Sequence, residues 1–494
     1  MSNHPDSQST SSPSMADALI PLISLSLLLG LAVYYFGDDS SSGPNQIALM
    51  LCAGIATIVA LKNGHQRISI EQAIVKGISL TTGAILILLA VGSLIGTWLL
   101  AGTVPTMIYY GLQILSPDLF YFSSCVLCAI VALCIGSSWT VAATIGVALM
   151  GIANGLNASP TITAGAIISG AYFGDKLSPL SDTTNLAPAI AGTELFTHIR
   201  FMLYSTVPSF IITLCLFLML GFSANIQLEQ GQISALQTSL EQQFFIAPYM
   251  LVPLLVTLAL AVKKVPAFPA IGIGALTGAL WAVLFQQDFI LAYANAGLNG
   301  AGNIDQLTAN ITVVWRAMYE GVSLNSGNVF VDKLLSGGGM GAMLNTIWLI
   351  ICAMIFGSVM EQAGLLRKVI TALTASAKST GALISSTIVT AFGTNCIAAD
   401  QYIAIVMPGR MFKDEYQQRG LAPENLSRAL EDGGTVTSAL IPWNTCGAYM
   451  QSVLLINPLD YAVYAFFNWL NPLIGIGCAM LGFRVKRLVT YQAA

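Results

Sequence analysis

The chain has 494 residues, 55% of them hydrophobic and only 9% charged, with a net charge of −4. Water-soluble domains carry roughly a quarter charged residues, so this composition argues against a soluble enzyme or a nucleic-acid-binding module and for a polytopic helical membrane protein. The nine cysteines lie almost entirely in apolar runs and form no close Cys/His cluster, which argues against a zinc site or a disulfide framework.

Residues 1–15 are Ser-rich and lack Lys and Arg, so they read as a disordered tail rather than a signal peptide. A membrane span needs about 20 mainly apolar residues. The first candidates are 16–36 and 47–61. Lys62, His65, Arg67 and Lys76 follow the second, and basic flanks mark the cytoplasmic side. The third span is 78–100, and 103–116 reads as an interfacial helix. Two short apolar arms, 119–135 and 141–152, flank Gly136-Ser-Ser-Trp-Thr and read as a re-entrant hairpin. Residues 161–173 lead into a polar stretch, Gly174 to Pro188, after which 201–222 spans again. The polar segment 223–243 separates the first repeat, 16–222, from the second, 244–494. In the second half the spans are 244–262, 266–285, 342–360 and 461–482. A second hairpin is expected around Gly393-Thr-Asn-Cys, between arms 382–392 and 397–411, and a second polar break at 431–449. Arg484, Lys486 and Arg487 put the C-terminus on the same side as the N-terminus.

Four landmarks repeat in order. Gly92-Ser93 pairs with Gly357-Ser358, Ala101-Gly102 with Ala363-Gly364, Gly136 with Gly393, and Asp175 with Asp432. The third span has its basic flank before it and its partner has that flank after it, so the halves face opposite ways. The expected fold is an all-α, inverted-repeat secondary transporter with two re-entrant hairpins, two broken helices and about ten spans.

Non-helical backbone at membrane depth survives only where protein or water covers it, and intramembrane ionisable groups are functional candidates by default. In the first half these are Asp175 and Asp182, with Ser137, Ser178, Thr183 and Asn185. In the second they are Glu431, Asp432 and Asp400, with Thr394, Asn395, Thr435, Ser438 and Asn444. Carboxylates, hydroxyls and carbonyls suit a hard cation such as sodium, with Asp175, Asp182 and Asp432 as its main ligands. A carboxylate in a low-dielectric cavity resists ionisation, so it can hold a proton or a cation in turn. Plainer roles stay open for several of these residues. Asp175 and Lys176 could be a surface pair, Glu431 could pair with Arg428, Asp400 could sit at a rim, and Asn185 and Asn444 could be helix caps. His4, His65 and His198 fall outside or at the edge of spans, which argues against a histidine relay.

The stretch Gly-Asp-Lys-Leu-Ser-Pro-Leu-Ser-Asp-Thr-Thr-Asn-Leu-Ala-Pro-Ala, with Glu-Asp-Gly-Gly-Thr-Val-Thr-Ser-Ala-Leu-Ile-Pro-Trp-Asn-Thr-Cys-Gly at 431–447, resembles the signature motifs of the NhaC-type sodium/proton antiporter family of the ion transporter superfamily. The resemblance implies a multi-pass protein of the bacterial inner membrane that exchanges sodium for protons, without a cofactor beyond the transported ion. It leaves open an alternative cargo, a small carboxylate or amino acid exchanged with sodium in the malate/lactate manner. A homodimer is one assembly it could adopt.

Overall fold

The computed structural model describes residues 12–223, 230–297, 305–324, 335–375 and 377–488, together with Asp332. The expected tail lies almost wholly outside these residues. Among the described residues, nine helices are long and apolar enough to cross a membrane, or ten if the bent pair Gln237–Gln243 and Pro248–Val262 counts as one span. Among the described residues β pairing is confined to two isolated bridges, Val322 with Gly337 and Leu421 with Arg487. Leu27, Ile58, Met219 and Leu276 expose more than half of their surface. Outward apolar side chains of this size on long helices match lipid rather than water.

The first helix, Met15–Phe36, starts at a capping box made by Ser14 and Asp17. Asp17 also pairs with Lys62 at 2.8 Å, tying that end to the C-terminus of the second helix, Pro44–Lys62. The expected third span is longer than its hydropathy suggests, because Arg67–Leu80 and Thr82–Leu100 run on through a single interruption at Thr81. The first hairpin is built from Phe120–Ile135 and Ser138–Gly155. Gly136, at φ 76°, makes its turn, and Ser137 caps the second arm by accepting from the Thr140 N–H. A left-handed residue followed by a hydroxyl cap reverses a helix with few orphan backbone groups.

The repeat is real, and its register differs from the one expected. Helices Thr82–Leu100 and Leu344–Gln362 have 19 residues each and both run into Ala-Gly with the glycine at positive φ. Their offset is 344 − 82 = 262. From the hairpins onward it is 263: Gly136 corresponds to Ala399, the helix starts Pro160 and Pro423 to each other, the N-caps Ser181 and Asn444, and the helix ends Ala191 and Leu454. The second hairpin therefore turns at Ala399 and Asp400, not at Gly393-Thr-Asn-Cys. Helix Thr380–Ala398 runs straight through Gly393, Thr394 and Asn395, and the returning arm is Gln401–Gln418. Ala399 holds the left-handed conformation, φ 56°, in which a residue with a Cβ is uncommon. Asp400 caps the arm by accepting from the Ile403 N–H at 3.0 Å.

Equivalent elements run in opposite directions. The Gly92 carbonyl accepts from the Gly339 N–H, 2.7 Å away and just ahead of helix Leu344–Gln362. Gly77, fifteen residues earlier in the chain, faces Ser358 near that helix's other end. The glycines at 92 and 96 let the backbone of Gly338 and Gly339 press directly onto the helix, the close approach that small residues permit in membranes. The halves are thus inverted. Their packed interior holds one large apolar core, with a smaller one beneath the second hairpin and helix Pro423–Leu430.

Candidate functional site

Each half contains a broken helix. The first runs Pro160–Leu177, then Asp182–Ala191, so the unwound part is only residues 178–181. Asp175 and Lys176 lie in the last helical turn, not in open chain as expected. The freed backbone is covered by side chains. The Thr184 hydroxyl lies 3.1 Å from the carbonyls of both Asp175 and Lys176, and the Asn185 amide donates to the carbonyls of Pro179 (2.9 Å) and Ser181 (2.7 Å). The Ser178 hydroxyl accepts from the Leu180 N–H. The second broken helix runs Pro423–Leu430, a π turn Glu431–Thr435, and, after a short 3-10 turn, Thr445–Leu454. There the Asn395 amide donates to the Gly434 carbonyl (2.5 Å) and the Asn444 amide to Asn395, while Asn444 accepts from the Cys446 N–H. Thr394 donates to the Thr390 carbonyl and Ser438 to that of Thr435. Several residues expected to bind an ion are therefore committed to the backbone, as a break at membrane depth requires.

The hairpin turns and both breaks meet around a cavity of about 840 Å3. Ser137, Ser138, Asp175, Asp182, Thr183, Asn185, Lys264, Asp400, Gln401, Tyr402 and Thr445 line it. Asp175 is 7% exposed; one oxygen accepts from the Ser138 hydroxyl (2.7 Å) and from the Ser138 N–H (3.1 Å). It thus sits on the positive end of the helix that follows the first hairpin turn. Asp182 is exposed to the cavity and Asp400 is buried at its edge. Among the described residues none of these three carboxylates is in an ion pair. Lys264, the basic residue of the lining, is exposed.

Asp432 does not face the cavity. It is fully buried, 2.5 Å from the Lys176 ammonium, which also donates to Asn471 at 2.8 Å. The Ser205 hydroxyl donates to the same Asp432 oxygen at 3.3 Å, and Arg428 stands 4.0 Å from the other. The Arg428 guanidinium lies 4.7 Å above the Phe201 ring. Among the described residues its nitrogens and both Glu431 oxygens find no hydrogen-bond partner, although all are buried. Neighbours in one helix thus point opposite ways, Asp175 to the cavity and Lys176 to a charged network behind it. The 263-residue register accounts for this: the counterpart of Asp175 is Ser438, not Asp432. The pair still joins the halves, since Lys176 belongs to the first broken helix and Asp432 to the second.

Of the residues expected at the site, Ser137, Asp175, Asp182, Thr183, Asn185 and Asp400 line the cavity. Ser178, Thr394, Asn395, Glu431, Asp432, Thr435, Ser438 and Asn444 do not. Cavity residues missed include Thr81, Trp139, Lys264, Gln401, Tyr402 and Cys446. His198, expected at a span edge, is fully buried and hydrogen-bonded to Ser427 at 2.8 Å. Asn471 was readable as a polar residue inside the last apolar run.

The sequence model of the Na+/H+ antiporter family matches residues 170–483. The Na+/H+ antiporter NhaC of Alkalihalophilus pseudofirmus is 38% identical over 443 residues, covering 89% of this chain and 91% of that protein. The malate-2H+/Na+-lactate antiporter of Bacillus subtilis is 35% identical over 474 residues, covering 95% and 94%. The solved structure of Neisseria gonorrhoeae MtrF covers 93% of this chain and 94% of its own at 15% identity, with a TM-score of 0.37.

Proposed function

The chain belongs to the Na+/H+ antiporter family, and we propose that it exchanges sodium for protons by alternating access, its cavity carboxylates holding the two ions in competition. Members of the family are transporters rather than enzymes. The observation that carries the reading is the cavity: Asp175 and Asp182 from one half and Asp400 from the other border one space, and among the described residues none of them is held in an ion pair. Unpaired carboxylates shielded from bulk water bind whichever cation is offered, a proton or a hard metal ion. Sodium is the cargo, and no further cofactor is required. The basic residues Lys62, Arg67, Arg484, Lys486 and Arg487 support both termini lying in the cytoplasm of a bacterial cell, with the protein in the inner membrane.

The test is sodium-dependent proton movement in proteoliposomes, for wild type and Asp175→Asn. The expected result is exchange in the wild type and at least a tenfold loss in the variant. Equal rates would remove Asp175 from the mechanism.

A second reading is favoured by size. At about 30 Å3 per water, a cavity of about 840 Å3 has room for far more than one dehydrated ion. An exchanger of a small carboxylate or amino acid would use that room, with Lys264 facing the anionic group, as the name of the malate/lactate relative suggests. Sodium-stimulated uptake of labelled malate separates the two readings.

A further inference from the structure

Building on the transport reading, we propose that Trp139 and Tyr449 form a gate that is closed in this conformation, and that Tyr402 marks the corresponding gate of the other half, standing open. The 263-residue register carries Trp139 onto Tyr402 and Tyr449 onto Leu186. Contacts confirm that register. Ser138 holds Asp175, and their counterparts Gln401 and Ser438 are likewise joined, at 3.2 Å. Gly146 lies against Leu454, and its counterpart Gly409 against Ile190, one residue from the counterpart of Leu454.

The aromatic pair departs from this symmetry. The Trp139 and Tyr449 rings are stacked, with centroids 4.0 Å apart and planes at 15°. The Tyr449 hydroxyl also donates to the Trp139 carbonyl at 2.9 Å, and Tyr449 is wholly buried. Tyr402 instead is 48% exposed in the cavity, and among the described residues its ring stacks on no other and its hydroxyl makes no hydrogen bond. One half is clasped at this position while the other is not.

The clasp also lies where motion must act on it. Trp139 belongs to the first hairpin and Tyr449 to the second broken helix, so any rocking of one repeat against the other shears the stack. A stack and one hydrogen bond seal a passage yet break readily. In the opposite-facing state the roles exchange: the Trp139–Tyr449 stack parts and Tyr402 closes over Leu186.

Two measurements test this. In proteoliposomes, Trp139→Cys/Tyr449→Cys is joined with a short cleavable bifunctional thiol reagent, and the linked peptide is quantified by mass spectrometry. The expected result is a link that lowers sodium-dependent proton movement at least tenfold and is reversed by cleavage, while Tyr449→Cys alone, treated identically, keeps its rate. A link with undiminished exchange, or no link at any sodium concentration or pH, overturns the gate. Separately, a membrane-impermeant maleimide should reach Tyr402→Cys from one face of the membrane and Tyr449→Cys only from the other. Labelling of both from the same face overturns the gate. Absence of exchange in the untreated wild type would refute the transport reading instead, and the labelling pattern would still decide the gate.

Discussion

The Lys176–Asp432 pair sits at 0% exposure at the crossing of the two broken helices, and breaking it should cost more than any surface change. In Asp432→Asn the Lys176 ammonium keeps the Asn471 oxygen at 2.8 Å but loses the carboxylate at 2.5 Å. Arg428 loses its nearest carboxylate oxygen, 4.0 Å away, as well. Removing one partner of a buried pair costs about 3–5 kcal/mol, because the other charge is left without compensation. Removing both charges together is often close to neutral. Lys176→Met/Asp432→Asn is therefore expected to regain about 2 kcal/mol or more over Asp432→Asn. Thermal unfolding in detergent, followed by tryptophan fluorescence, measures both. At about 2 °C per kcal/mol for a large chain, Asp432→Asn should melt several degrees below wild type and the double variant between them. A single variant that melts with wild type, or a double variant no better than the single, would refute the reasoning.

Further outcomes follow from the breaks and the glycines. Asn395→Ala leaves the Gly434 carbonyl without its amide partner, while the Asn444 amide keeps the backbone carbonyl of residue 395 at 3.2 Å, and at about 1–3 kcal/mol per buried orphan it should lower the melting temperature clearly. Gly338→Ala puts a Cβ 2.4 Å from the Gly96 nitrogen at a residue with φ +78°, so it should be poorly folded, measured as loss of the monodisperse peak in gel filtration. Gly393→Ala meets nothing within 4 Å and lies inside helix Thr380–Ala398. It should melt at or above wild type, by up to about 1 kcal/mol; destabilisation would mean that a turn, not a helix, occupies residue 393.

The spans and the first hairpin were legible because they rest on local chemistry: apolar runs of bilayer length, and Gly136 followed by a serine cap. The second hairpin was not, because its left-handed residue is an alanine and the more obvious Gly393 is an ordinary helical glycine. That displaced turn also set the register six residues short, which made Asp175 and Asp432 look like counterparts. Arg428, offered by the sequence as a possible partner of Glu431, is instead fully buried over Phe201 and nearest to Asp432. Partners for buried charges such as Lys176 and Asp432 lie 256 residues apart, and no local spacing announces them. The hydroxyls and amides around the breaks stand out within apolar runs, but pattern alone does not separate a residue that satisfies backbone from one that faces the cavity.

The charged network has a consequence for the two halves. A molecule made of two chemically identical halves would have equal populations of any two shapes related by swapping them. Here the register sets Gly165 opposite Arg428, Ile168 opposite Glu431, Ser169 opposite Asp432 and Ala439 opposite Lys176. All four ionisable groups lack an ionisable twin. The degeneracy is lifted by buried charges from both halves that have no symmetry mates, so this protein has a preferred resting shape, and the bias can be tuned at four positions that never touch the cavity.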